Sequence, residues 1–121
     1  FMEDFNRKLK GDFGEDIAAK ELSKKGYKIL DRNYKKRGGE IDIIAQTGGT
    51  MVFVEVKLRS GVENGLPCEA VDINKRRRII STAKKYIYEK NVCGMDFRFD
   101  VIEVLKGDVI MLRHTENAFW E

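Results

Sequence analysis

The sequence predicts an α/β domain: a mixed central β-sheet flanked by helices, in the order α-β-β-β-α-β with one further C-terminal strand. Three observations point there. Two long stretches carry apolar residues at helical spacing, one near the N-terminus and one past the middle of the chain. Five shorter runs are rich in Val, Ile and aromatic residues or alternate apolar with polar, and turn-forming residues bound them. The second helical stretch falls between the third and fourth of these runs, and a connection of that length joins parallel strands in a right-handed crossover.

Residues 3–25 form the first helix. Phe5, Leu9, Phe13 and Ile17 recur every four positions, and Ala18 and Leu22 continue the stripe. Gly26 ends it as a C-cap. Gly11 and Gly14 lie inside it, each at a cost of up to ~1 kcal/mol against alanine. Such glycines point to close approach of another backbone, a ligand, or a kink. Residues 27–34 form a mixed strand, Lys35 to Gly39 a basic turn, and strands at 40–46 and 51–59 follow, with Gly48-Gly49 turning between them. Residues 60–71 contain Gly61, Gly65 and Pro67, and form either a substrate-facing loop or a plain connector. The second helix covers 72–90, with Asp72 or Asn74 as its N-cap and Ile79, Ile80, Ala83 and Ile87 as its stripe. A strand at 96–105 puts Phe97, Phe99 and Val101 on one face, and Gly107-Asp108 turns into a last strand at 109–114.

No repeat, low-complexity segment or linker divides the chain, so residues 2–121 read as a single domain. Its 121 residues suffice for one core, and an apolar fraction of 42 % suits a folded protein. Phe1 precedes a methionine that reads as the natural start, and is assigned no function.

Three charged residues stand out inside apolar strands. Asp42 sits in Gly39-Glu40-Ile41-Asp42-Ile43-Ile44-Ala45; Glu55 and Lys57 sit in Val52-Phe53-Val54-Glu55-Val56-Lys57. Strand alternation puts Phe53, Glu55, Lys57 and Arg59 on one face and Val52, Val54, Val56 and Leu58 on the other. A hairpin through Gly48-Gly49 brings Asp42 beside Glu55. The bland reading is a solvated strand face with an ion pair worth under ~1 kcal/mol. An aspartate in the neighbouring apolar strand argues against it, because a strand that only built a core would not carry these charges.

The net charge is +3, and the cations cluster in Lys35-Lys36-Arg37 and Lys75-Arg76-Arg77-Arg78. Clustered cations suit a polyanion, most simply nucleic acid, against the alternative of solvated faces. Arg76, Arg77 and Arg78 cannot all face one way on a helix. The two cysteines, Cys68 and Cys93, lack metal-ligand spacing, and the one histidine, His114, has no cysteine near it. A zinc site and a Ser-His-Asp triad are therefore poorly supported. No apolar run approaches the ~18–20 residues of a membrane span, and no signal peptide is visible, so a cytoplasmic location without membrane contact is the expectation.

Asp, then Glu-x-Lys, on the second and third strands of an α-β-β-β-α-β core resembles the PD-(D/E)xK nuclease superfamily, whose fold is restriction-endonuclease-like. The chain is identified as a member of the YraN family of predicted endonucleases, which is similar to archaeal Holliday junction resolvases. The carrying residues are Gly11-Asp12-Phe13-Gly14-Glu15, Arg32-Asn33-Tyr34, Gly39 to Ala45, Val52 to Arg59, Gly65 to Val71, Lys75, and Arg98-Phe99-Asp100-Val101. They cover nearly the whole chain. The proline of the superfamily's name is replaced by Ile41.

The resemblance implies a metal-dependent endonuclease that hydrolyses phosphodiester bonds of DNA, including branched DNA, and a homodimer. Mg²⁺ takes oxygen ligands and is usually held by one or two carboxylates plus waters, a description that Asp42 and Glu55 fit, with Mg²⁺ or Mn²⁺ as the cofactor. By resemblance, the Val56 carbonyl is a further ligand, Glu15 completes the acidic cluster as a ligand or a supporting group, and Lys57 activates the attacking water. Glu40 shares the Asp42 face and either orients a water or lysine or is simply exposed, exposure being the expectation. Lys75 is expected to contact phosphate, as are Arg59, Lys35, Lys36, Arg37, Arg76 and Arg78. Asp100 is expected to be structural, paired with Arg98 or a neighbour. The alternative to an enzyme is a non-catalytic nucleic-acid-binding module that retains the fold.

Overall fold

The computed structural model describes the backbone of residues 2–60 and 72–120, with side chains at 12–59 and 72–120. The predicted element order is observed: α1 (Met2–Lys24), β1 (Lys28–Lys36), β2 (Gly39–Thr47), β3 (Thr50–Ser60), α2 (Ile73–Glu89), β4 (Asp96–Lys106) and β5 (Ile110–Phe119). The strands form one mixed sheet in the order β1-β2-β3-β4-β5. Only β3 and β4 run parallel, which makes α2 the crossover; the other neighbours are antiparallel. The expected loop at 60–71 falls, from residue 61 on, outside the described residues. No helix among the described residues is long and apolar enough to cross a membrane.

Local chemistry explains the boundaries. Gly26, at φ 92°, ends α1: its N–H donates to the Ser23 carbonyl at 3.0 Å and the Tyr27 N–H to the Leu22 carbonyl at 2.9 Å. These two bonds satisfy carbonyls that the helix end would otherwise leave open. Asp72, rather than Asn74, caps α2, with its Oδ1 accepting from the Lys75 N–H at 2.8 Å. Thr47 pairs with Thr50, so Gly48-Gly49 is a two-residue hairpin turn, and Gly48 takes φ 56°. The last strand runs well beyond the predicted 109–114. It continues to Phe119 through a register shift opposite Phe99–Val101, and this polar, irregular stretch hides the alternation.

Each sheet face carries its own core. Val52, Val54, Ile43, Ala45, Ile102 and Val104 pack with Ala18 and Leu22 of α1. Phe53, Ile44, Met51 and Val101 pack with Ile79, Ile80, Ala83 and Tyr86 of α2, closed by Phe119. The predicted alternation in β3 is thus observed. That in β2 breaks: Ile41 belongs to the α2 side and Ile43 to the α1 side, so the switch falls at Asp42. The residue left opposite Asp42 in the β1–β2 register is Asn33, which adopts φ 53°. A left-handed residue in one strand, next to a face switch in its partner, turns the Asp42 carboxylate away from ordinary alternation.

Two glycines let the helices come close. At Gly14 a Cβ would rest 3.5 Å from Leu58 Cβ, so α1 lies nearly flush on β3. At Gly39 a Cβ would overlap Thr82 Oγ1 and come 3.0 Å from the Arg78 carbonyl, so β2 begins against α2 with no room for a side chain. Gly39→Ala is expected to destabilise the fold by about 1–3 kcal/mol. Thr82→Ala in the same chain should recover part of that loss. Chemical denaturation of the two variants checks this, and an unchanged midpoint for Gly39→Ala would remove the argument.

Candidate active site

The β2–β3 ladder runs from Thr47–Thr50 up to Ile43–Val54 and then stops. Beyond it β2 continues to pair with β1, through Tyr34–Ile41 and Lys36–Gly39, while β3 continues to pair with β4 as far as Ser60–Lys106. The sheet therefore forks. Asp42 and Glu55 would be the next pair in the broken register and sit at the crotch. The Val56 N–H finds its acceptor in Asp42 Oδ2 at 2.8 Å. An aspartate side chain takes the place of the backbone partner that the fork removes.

The fork opens a cleft of about 490 Å³. Gly39, Glu40 and Asp42 line one prong, and Glu55, Val56, Lys57 and Leu58 the other. Lys75, Arg78 and Ile79 enter from α2, and Glu15 from α1. Because the strands have separated, groups from both sheet faces reach one volume. Lys57 Nζ lies 3.3 Å from Glu55 Oε2, and Lys75 Nζ lies 2.5 Å from the same oxygen. Glu55 is 5 % exposed, so these contacts are largely shielded from solvent.

Burial and like charge decide the protonation states. Burial, with the Glu55 carboxylate beside it, pushes the Asp42 carboxyl up to about 8, although the Val56 N–H pulls the other way. Burial and the neighbouring Lys75 ammonium lower the pKa of Lys57, against the pull of Glu55. Burial acts downward on Lys75 as well, but its bond to Glu55 wins and its pKa rises. The two lysines thus divide the work: Lys75 holds its proton and Lys57 gives one up more readily. Burial raises the Glu15 carboxyl too, opposed by a hydrogen bond with Asn33 and by the Arg32 charge. Glu15 Oε1 is buried without a hydrogen-bond partner, and Arg32 stands 3.8 Å from it.

The predicted residues divide into two groups. Glu15, Asp42, Glu55, Val56, Lys57, Lys75 and Arg78 line the cleft. So does Glu40, which pairs with Lys35 at 3.4 Å. Lys36 is drawn to Glu89 at 2.7 Å, and the Arg37 carbonyl accepts from Lys85 Nζ at 3.0 Å. Arg59 does not extend the cleft face. Its Nε lies 2.9 Å from Glu103 Oε2, a carboxylate also held by Arg113. Arg76 stands over the Phe119 ring at 5.8 Å, away from the cleft. Arg32 and Asn33, which orient Glu15, were not predicted as site residues; the left-handed backbone of Asn33 was not legible from its strand.

The donor set suits a hard divalent cation. Two carboxylates and a neighbouring backbone carbonyl are the oxygen ligands Mg²⁺ or Mn²⁺ prefers, and the usual Mg²⁺ site has one or two protein carboxylates plus waters. Among the described residues no group of three or more His, Cys, Asp and Glu side chains is placed to hold a metal ion, so Glu15 does not join Asp42 and Glu55 as a third side-chain ligand. Glu15 thus stands at the edge of the Asp42–Glu55 pair. Its orphaned oxygen, in a buried acidic cleft, is a group that a cation or an ordered water would satisfy.

Fold and site together define an α/β domain whose forked sheet gathers paired carboxylates and two lysines in one cleft. The chain belongs to the uncharacterised protein family UPF0102, whose model matches residues 14–104. It is 48 % identical to a UPF0102 protein of Clostridioides difficile over 94 % of this chain and 99 % of that one. It is likewise 48 % identical to one of Caldanaerobacter subterraneus subsp. tengcongensis, over 98 % of this chain and 100 % of the relative. The relative from Persephonella marina is 42 % identical over 92 % of this chain and 93 % of its own.

Proposed function

We propose that the protein is a Mg²⁺- or Mn²⁺-dependent endonuclease acting on DNA. The observation that carries this reading is the Asp42 carboxylate. It is held at the fork by the Val56 N–H, beside buried Glu55, with Lys57 Nζ within 3.3 Å of that glutamate. Asp42, Glu55 and the Val56 carbonyl would hold the cation. When bound, it would supply charge neutralisation at the phosphoryl group and lower the pKa of the attacking water.

The chain's own residues do the rest. Lys75 keeps its charge and can donate to a non-bridging phosphate oxygen. Lys57, with its lowered proton affinity, is suited to accept the water proton at Nζ. Water oxygen then bonds to phosphorus, the bond from phosphorus to the leaving oxygen breaks, and that oxygen takes a proton from solvent, to which the Lys57 ammonium returns the one it accepted. Arg78 at the α2 rim adds positive charge where a strand would enter. The branched-DNA preference and the homodimer are carried by the resolvase resemblance.

A second reading, a nucleic-acid-binding module without turnover, draws on Lys75: its ammonium already neutralises Glu55. The two are separated by a cleavage assay with Mn²⁺ on single-stranded, duplex, flapped and four-way-junction DNA. The enzyme reading expects cleavage of at least one form, lost in Asp42→Ala and Glu55→Ala. Binding retained with no cleavage of any form favours the module.

A further inference from the structure

We infer that the outer face of α2 is a second nucleic-acid contact, one that stacks unpaired bases on Trp120 and Tyr88 and neutralises the backbone of a single strand between them. This inference rests on the reading of the protein as one that binds DNA, and it adds a substrate feature: an unpaired segment beside the duplex that enters the cleft.

The α2 helix presents two different sides. Lys75, Arg78 and Ile79 look into the cleft. Arg76, Arg77, Ile80 and Lys84 line a separate groove of about 500 Å³, with Trp120 across it. Lys84 also lines the next hollow along the helix, of about 510 Å³, which Tyr88 walls. The two hollows therefore share a wall and continue one another. Ile73, Arg77, Ser81, Lys84 and Tyr88 are spaced by three or four residues, so they form one stripe about 22 Å long at ~1.5 Å per residue.

The chemistry of that stripe selects the occupant. Trp120 is 71 % exposed and Tyr88 86 % exposed, although large aromatic rings are costly to leave in water. Trp120 follows Phe119, which is 3 % exposed and closes the core, so its position is anchored while its ring stays outside. Arg77 lines the first hollow, with Arg76 and Lys84 beside it. An apolar protein partner would not call for that charge, and duplex DNA, with its bases stacked internally, would leave both rings unused. A single strand uses both: its phosphates meet Arg77 and Lys84, some 10 Å apart along the helix, and its bases meet the rings.

Trp120 is the only tryptophan, so its own fluorescence reads the contact. The test titrates the full chain with oligothymidylate of about 15 nucleotides, and with a duplex of the same length, following both tryptophan emission and the anisotropy of labelled DNA. Single strand is expected to quench Trp120 and duplex to leave it largely unchanged. Trp120→Ala should weaken single-strand binding about ten-fold, with Trp120→Phe recovering part of it. Arg77→Ala and Lys84→Ala should each reduce the salt slope by roughly 0.7. The quench should persist in Asp42→Asn, whose change lies on the cleft side of the helix. Single-strand binding without a quench, or at full strength in Trp120→Ala, overturns the inference. So does a change of oligomeric state in Trp120→Ala, which would assign the ring to a protein interface. Cleavage of duplex DNA is read separately, so the enzyme reading can stand while this contact fails, and the reverse.

Discussion

On the proposed endonuclease reading, Asp42→Asn is expected to cut DNA cleavage by about 10³-fold or more, and in the same variant to raise the stability of the cation-free protein at pH 8. Both effects have one cause. Asp42 occupies a buried crotch of the sheet with Glu55 beside it, and in the folded chain its carboxyl is held up near 8 from an ordinary value of 3.8. Below pH 3.8 the group is protonated in both states and favours neither. As pH rises, the unfolded chain releases the proton first while the folded chain retains it, so folding loses ground throughout the window up to about 8. The loss is on the order of a few kcal/mol. Asparagine has no proton to lose and keeps an oxygen for the Val56 N–H, so the decline should flatten. A divalent cation added to the native chain should reverse it, because the cation favours the ionised carboxylate. Thermal denaturation from pH 5 to 8.5, with and without Mn²⁺, measures this. Parallel pH profiles for native and variant chains would refute the assigned strain at Asp42.

Asp100→Ala is expected to cost about 3–5 kcal/mol of stability, roughly 10–20 °C in Tm, without direct involvement of the cleft. Asp100 is fully buried in β4. Both of its oxygens accept from Arg98, from Nε and one terminal nitrogen, each at 2.9 Å. Its Oδ2 also lies 2.7 Å from His114 Nε2, and its Oδ1 accepts from the Asn117 N–H at 3.0 Å. Asn117 adopts φ 52° at the irregularity that lets β5 continue to Phe119. One carboxylate thus holds Arg98, His114 and the end of the last strand. Removing it leaves Arg98 with only Tyr27 and Glu116, leaves His114 with only Lys25, and frees the segment that carries Phe119. Burial alone would raise the pKa of Asp100, but His114, Arg98 and the Asn117 N–H together lower it. Its contribution is therefore present above pH 3.8 and is lost as pH falls through the depressed folded value. Urea denaturation at pH 7 gives the magnitude, and a loss below 1 kcal/mol would show that the cluster is not holding the strand.

The structural expectation for Asp100 and its partner Arg98 was met, and the sequence reading was right about much else. The apolar stripe of α2, the Gly48-Gly49 turn and the β3 alternation are local patterns, set by helical and strand periods and by glycine's access to left-handed backbone. They were enough to place Glu55 and Lys57 on one face and Asp42 next to Glu55. His114 was different. No local pattern gave it a partner, because Asp100, fourteen positions earlier, becomes its neighbour only across the β4–β5 pairing. Arg59 continued the Glu55–Lys57 alternation, yet the buried charge of Glu103 on the adjacent strand claims it. The basic runs likewise read as one kind of patch, but Lys36 goes to Glu89, Arg78 to the cleft and Arg76 to the far side of α2.

By itself, then, the sequence determined the elements, their order and the identity of the acidic and basic groups at the centre of the site. Those follow from periodicity and residue chemistry, which act over a few positions. Only the tertiary structure decided that the sheet forks after Ile43–Val54 and that Asn33 turns left-handed opposite Asp42. Strand pairing, burial and competition among charges for partners are long-range effects. They determine which of the available charges share one volume and which are spent holding the fold together.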